Sequence, residues 1–265
     1  MTARRWIGPV SGALLAASLI KSADAAQQVS LRYSIHLGGF SVGSVELDAE
    51  LSDSGYRLRS VTRTDGLIDM IVGFLSHAES RGVITSRAIR PTEHRADNIW
   101  MGEDRFVRNA YDADRVTAVI SPLPADDDRP PVPGSATAGT LDPLSASLRA
   151  SYLAGAERPC ARSVPVFDGR RRYDLNFAHV ASNRPAGLGG GRPSQHCQVS
   201  LERIVGFSRK PWLTPVKGVE IADIWFKPLV ADLPLIPVRL TADTGVGEAI
   251  VQLVALNGKA VEPAP

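Results

Sequence analysis

Strict alternation of apolar and polar side chains, broken at short intervals by turn-forming residues, is the pattern that most limits the folds open to this chain. Val29, Leu31, Tyr33, Ile35 and Leu37 alternate with Ser30, Arg32, Ser34 and His36, the period of a strand with one face on a core and the other in water. Gly38-Gly39 and Gly43 then precede a second run with Val45, Leu47 and Ala49 on one face, and Ser52–Gly55 leads into Tyr56, Leu58, Ser60 and Thr62. Connections this short join only antiparallel neighbours, because a parallel crossover needs about a dozen residues or more. Further strands are expected near 77–85, 91–100, 103–110 and 114–120. In the second half Val164 and Val166 lead through Phe167-Asp168-Gly169 into Arg170–Val180, and strands follow at about 195–206, 217–227, 235–243 and 247–256. The expected fold is mainly β: a curled antiparallel sheet or open β-barrel with two short helices.

Those helices are marked by a change of period. Leu67, Met70, Ile71 and Phe74 recur at helical spacing in a very apolar segment. Such a helix needs cover, so it either plugs the core or forms a lid over a hydrophobic cavity. Asp142-Pro143 opens the second, with Asp as N-cap and Pro at the first helical position, and Leu144, Leu148 and Tyr152 line one face. Residues 122–137, with Pro130-Pro131, Pro133, Gly134 and acidic Asp126–Asp128, read as a mobile linker, and Asn183–Ser194 with Gly187 and Gly189–Gly191 as a flexible loop. The expected organisation is one β-rich domain over 26–257 followed by a disordered tail at 258–265.

The first 25 residues address the protein. Arg4 and Arg5, the apolar run Trp6–Ile20 and Ala23-Asp24-Ala25 have the layout of a cleavable signal peptide, and the run is too short and interrupted for a membrane span of ~20 residues. Loss of Arg4, Arg5, Lys21 and Asp24 takes 30 basic and 28 acidic residues to 27 of each. A neutral mature chain lacks the counterion-release term that holds nucleic acid, so that partner class is excluded. In an oxidising periplasm the two cysteines, Cys160 and Cys197, are expected to pair, stabilising the fold by roughly 3–4 kcal/mol. His196 beside Cys197 offers a metal or redox alternative, but a zinc site wants four ligands at recognisable spacings.

Little else carries chemistry. Gly39-Phe40-Ser41-Val42-Gly43 has nucleophile-elbow spacing, yet lies between two alternating strands rather than before a helix. The five histidines (His36, His77, His94, His179, His196) show no metal-ligand spacing and read as solvated or hydrogen-bonded strand residues, and the carboxylates Glu93 and Asp97 flanking His94 read as a solvated strand face. Arg170-Arg171-Arg172-Tyr173 is the one basic cluster; Arg170 and Arg172 would share a face and suit an anionic head group, or the cluster is a strand end paired with Asp168 and Asp174. Trp100, Trp212 and Trp225 could line a cavity or fill a β core.

Taken together, Tyr33, Gly39 and Val42-Gly43 near the start, Asp142-Pro143-Leu144-Ser145-Ala146, Pro165-Val166-Phe167-Asp168-Gly169 running on through Arg170-Arg171-Arg172-Tyr173, and Leu233-Pro234 with Pro237-Val238 resemble the bacterial exported family called domain of unknown function 3108. The resemblance spans about 28–257 and implies an envelope-resident β-rich protein, with no catalytic residues to carry over. The architecture is similar to curled open barrels of the periplasm that carry lipoproteins or support envelope integrity, an analogy of fold and not of function. The expected function is therefore non-enzymatic: binding of an apolar or amphiphilic envelope component, such as a lipid, in a concave interior. Leu67, Met70, Ile71 and Phe74 would form the lid, with Trp100, Arg170, Arg172 and Trp225 as contacts and neither metal nor cofactor. The alternative is a structural envelope protein with a filled core and a protein partner; a serine hydrolase through Ser41 stands last. A void beneath residues 67–74 separates the first two readings.

Overall fold

In the computed structural model the described residues are 26–85, 88–112, 115–123, 129–157, 159–183, 194–208 and 221–261. The leader, the acidic run 126–128, the glycines at 187–191 and Trp212 lie outside them. Seven strands come before the long central connection: β1 (Gln27–Leu37), β2 (Phe40–Leu51), β3 (Gly55–Thr64), β4 (Phe74–Thr85), β5 (Ala88–Trp100), β6 (Glu103–Asp112) and β7 (Arg115–Ser121). Seven follow it: β8 (Ser163–Phe167), β9 (Arg172–Asn183), β10 (Ser194–Val205), β11 (Ile221–Lys227), β12 (Ile236–Asp243), β13 (Glu248–Leu256) and β14 (Lys259–Ala260).

All belong to one sheet in the order β7-β6-β5-β4-β3-β2-β1-β13-β12-β11-β10-β9-β8, with β14 on β13. Every ladder is antiparallel. β1 is the join, pairing β2 on one side and β13 on the other, so two wings of hairpins open from it. The chain then travels from the free edge of one wing, β7, to that of the other, β8, carrying α2 (Pro143–Ala154) across the concave face. This is the expected mainly β fold: a curled sheet that does not close on itself.

At the seam the two edges meet through side chains and single hydrogen bonds rather than a ladder. Asn109 Nδ2 donates to the Phe167 carbonyl at 3.4 Å, and Arg170 reaches the Pro122 carbonyl at 2.7 Å. Gly169, at φ +91°, sits where a Cβ would lie 2.4 Å from Val107 Cγ1, so only glycine lets the β8–β9 turn approach β6. Leu141 covers the edge of β8 with a parallel bridge, donating to Pro165 O at 2.9 Å and accepting from Phe167 N at 2.8 Å.

The core lies between the sheet and α2. Inward strand positions Val29, Leu31, Leu58, Val164, Val166, Val238 and Leu253 pack around Ala146, Leu148, Ala150, Leu153 and Ala154. The sequence suggests a stripe of Leu144, Leu148 and Tyr152, but Leu144 and Tyr152 are only half-buried. The deeply buried positions are mostly small, Ser145, Ala146, Ala150, Ser151 and Ala154, which lets a helix be covered on several sides. Cys160 and Cys197, Cα atoms 6.1 Å apart, form a buried disulfide that ties the exit of α2 to β10.

Three expectations are corrected. The first helix, α1, spans Gly66–Val72 only; Gly73 turns left-handed at φ 49° and Phe74 already begins β4. Residues 129–137 of the supposed mobile linker are fastened to the sheet. Gly134–Ala136 forms a 3-10 turn, Thr137 is buried, and Arg172 Nε donates to the Ala136 carbonyl at 3.1 Å. Lys259–Ala260, placed in the expected tail, instead pair with β13.

Replacing both cysteines with serine is expected to lower unfolding free energy by roughly 3–4 kcal/mol in urea denaturation, since a loop of 37 residues is no longer closed in the unfolded chain. Gly169→Ala is expected to cost about 1–3 kcal/mol in the same measurement, from a strained φ and the clash with Val107.

Candidate functional site

Asp142 organises the interior. As N-cap of α2 it accepts from the backbone N–H of Ser145 at 3.0 Å, satisfying a donor that the helix end leaves free. The same carboxylate takes the hydroxyl protons of Ser145 and of Ser80 on β4, both at 2.5 Å. These bonds set the rest of the wiring, because each hydroxyl has one proton to give. Ser145 has given its proton, so Tyr56 Oη donates to Ser145 Oγ at 2.7 Å. Ser80 has given its own, so His94 Nδ1–H donates to Ser80 Oγ at 2.8 Å, leaving the ring nitrogen 3.4 Å from Asp142 Oδ1. All five side chains are buried.

Burial holds the His94 imidazole below its ordinary pKa. Asp142 and Asp168 pull it back up, Arg108 pushes it further down, and a hydrogen bond to the Glu79 backbone favours the charged form. Burial likewise pushes the Tyr56 phenol well up. Serine, histidine and aspartate therefore meet here, but the serine donates to the carboxylate rather than to the imidazole, and the group is sealed from solvent. Chemically it is a strut between α2 and the wing of β3–β5, not the serine–histidine–aspartate relay of acyl transfer.

Two recesses flank α2. One is an apolar cavity of about 60 Å³ between Leu148, the inner face of β1–β3 at Leu31, Leu47 and Leu58, and Leu233–Pro237. The other is a cleft of about 660 Å³ between the ends of β4 to β7 and the lead-in to α2 at Gly139, Thr140 and Leu141. Val83, Ile89, Val116 and Leu141 give it apolar walls, and Arg90, Thr92 and Tyr111 add polar groups. Arg90 makes no ion pair among the described residues. The Tyr111 hydroxyl and Asn109 Oδ1 are buried without a hydrogen-bond partner among them; the two side chains are neighbours but do not meet in bonding geometry.

The residues singled out from the sequence lie elsewhere. Leu67, Met70 and Ile71 are 80%, 84% and 71% exposed, and no residue of α1 lines either recess. The helix is neither plug nor lid: it sits between β3 and β4 at the end of the barrel opposite the cleft, where Phe40, Met101 and Val246 are also exposed. Trp100 packs edge-to-face on Phe74 with ring centroids 5.6 Å apart, and Trp225 stacks on His196 at 4.4 Å; neither borders a recess. Arg170 and Arg172 hold the Pro122 and Ala136 carbonyls, Arg171 pairs with Asp168 at 2.8 Å and Arg172 with Asp174 at 2.6 Å. Ser41 is exposed on β2 opposite His36, with no hydrogen bond between them. No group of three potential metal ligands occurs among the described residues.

Reading the sequence misses Tyr56, Ser80 and Ser145 as a group and does not separate His94 from the other strand histidines. The signal available is phase: Ser80 and His94 are cross-strand partners, both at the inward phase of their strands. Two unrelated polar residues at facing inward positions imply a buried partner, and Asp142 is that partner.

Asp142→Ala is expected to lower unfolding free energy by about 2–4 kcal/mol, through loss of the cap and of two hydrogen bonds to a charged acceptor. Tyr56→Phe, which leaves Ser145 bonded to Asp142, is expected to cost about 1 kcal/mol. Chemical denaturation of both variants measures the difference.

No curated protein matches the chain. Among solved structures, a crystal structure of a beta-barrel-like protein of domain of unknown function DUF1849 from Brucella abortus aligns with a TM-score of 0.50 at 12% identity, covering 89% of this chain and 99% of that one. Identity so low speaks to fold alone, and the fold agrees with the open barrel described above. The profile of the family described as protein of unknown function (DUF3108) matches residues 32–254, which takes in β1 through most of β13 with α2 between them, and this chain belongs to that family.

Proposed function

We propose that this is an exported, non-enzymatic protein of the periplasm that holds an amphiphilic envelope component in a cleft at one end of its open barrel. The observation that carries the reading is the cleft of about 660 Å³ beside the lead-in to α2. Its lining is mixed in the way an amphiphile requires: Val83, Ile89, Val116 and Leu141 suit an acyl chain, and Arg90 at the rim suits an anionic head. The approach to α2 takes the covering role first expected of α1. Export is supported by the layout of the leader and by the Cys160–Cys197 disulfide.

The test is a fluorescence titration with a dansyl-labelled fatty acid, alongside native mass spectrometry of protein purified from the periplasm. Saturable binding is expected, weakened at least tenfold by Ile89→Trp, which fills the cleft, and unchanged by Val180→Trp on the exposed face of β9. Equal binding by wild type and Ile89→Trp, or none by wild type, overturns the reading.

A second reading, a structural envelope protein acting through a protein partner, is favoured by one observation: Leu67, Met70 and Ile71 expose three large apolar side chains on one short helix. On this reading the triple serine variant at these positions keeps its stability and loses the envelope protein that wild type captures by crosslinking in cells; capture unaffected by the substitutions counts against it.

A further inference from the structure

The strut at Asp142 has a consequence for the cleft. Gly139, Thr140 and Leu141 form one wall of the cleft and run directly into Asp142, so the position of that wall is tied to the carboxylate. The segment is fastened on two sides. Leu141 is bonded through its backbone to β8, on one wing, while Asp142 and Ser145 are bonded through side chains to Ser80 and Tyr56, on the other. Among the described residues the wings share no ladder at the β7–β8 seam, and they meet there through side chains and single hydrogen bonds.

We propose that Asp142, Ser80 and His94 form a latch that holds the start of α2 against β4 and β5 at neutral pH and releases it in mild acid, widening the cleft. Its meaning for a bound amphiphile rests on the cleft being the binding site; the release of α2 does not.

The groups facing His94 fix the direction. Ser80 and the Glu79 carbonyl face it from β4, Arg108 from β6, Asp142 from the start of α2 and Asp168 from the β8–β9 turn. The two carboxylates favour imidazolium; burial, the largest influence, and Arg108 disfavour it, and the balance lies toward the neutral ring. The latched state thus takes up a proton less readily than the released state, in which His94 regains its ordinary value of ~6.5. Acid binds preferentially to the released state, so the latch is at full strength above ~6.5. It weakens by up to about tenfold for each pH unit below that value, until the lowered pKa of the latched state is reached.

Hydrogen-exchange mass spectrometry of the full mature chain tests this. After correction for intrinsic exchange, amides of α2 are expected to exchange about tenfold faster at pH 5.5 than at pH 7.5, and His94→Gln, neutral at both, is expected to abolish the difference. Equal protection of α2 at the two pH values in wild type, or an undiminished pH effect in the variant, overturns the proposal. Should His94→Gln not fold, an NMR titration of wild type decides: His94 titrating below its ordinary value supports the latch, and at or above it refutes it. Binding of the dansyl fatty acid is followed in parallel. Release of α2 in a protein that does not bind the probe at either pH leaves the latch standing and removes the cleft reading.

Discussion

A single buried carboxylate determines where everything else in this interior goes. Asp142 is fully enclosed, and a charge in that position is tolerable only when its lone pairs are engaged. Here a backbone N–H and two serine hydroxyls engage them. Because the partners come from α2 itself and from β4, satisfying the charge also docks the helix. Tyr56 and His94 then complete the hydroxyls that Asp142 has oriented, and Gly82 is required beside them, since a Cβ there would lie 2.2 Å from the Arg90 carbonyl oxygen and 2.7 Å from the Tyr56 hydroxyl. Electrostatic necessity and helix placement are the same event.

The helix in turn decides why the sheet stays open. Fourteen strands of hairpins curl through their natural twist, and a barrel normally removes its edges by closing. In this protein the helix occupies the concave face and its lead-in covers the edge of β8 through Leu141. Among the described residues, Gly169, Asn109 and Arg170 bring the wings into contact at the seam. An edge covered by one residue and a few side chains holds less firmly than a ladder.

Much of the fold was legible in the sequence. Short polar turns between alternating runs leave antiparallel hairpins as the only economical connection, and Asp142-Pro143 marks a helix start by local chemistry alone. The site was far less legible. His94 lies between Glu93 and Asp97, so its neighbours suggest solvent, yet in the bulged β5 strand it faces inward and is buried. Arg170 and Arg172 looked available for a ligand because their carbonyl partners, Pro122 and Ala136, are distant in sequence. Helical spacing at Leu67–Ile71 was correct, but spacing says nothing about what a helix meets; these residues meet solvent because α1 is a connection at a sheet end.

By itself, then, the sequence determined the properties that depend on near neighbours: strand period, turn positions, the cap of α2, and a cysteine pair with one possible intrachain partner each. It also carried the family pattern. Only the tertiary structure decided which wing α2 is fastened to, that small residues and not a leucine stripe seat it, and that the recesses lie at the end away from α1. These depend on residues brought together across the sheet, Tyr56 with Ser145, Ser80 with Asp142 and Val107 with Gly169. A chain read in order does not display such separations, and the physics of burial acts only once they have closed.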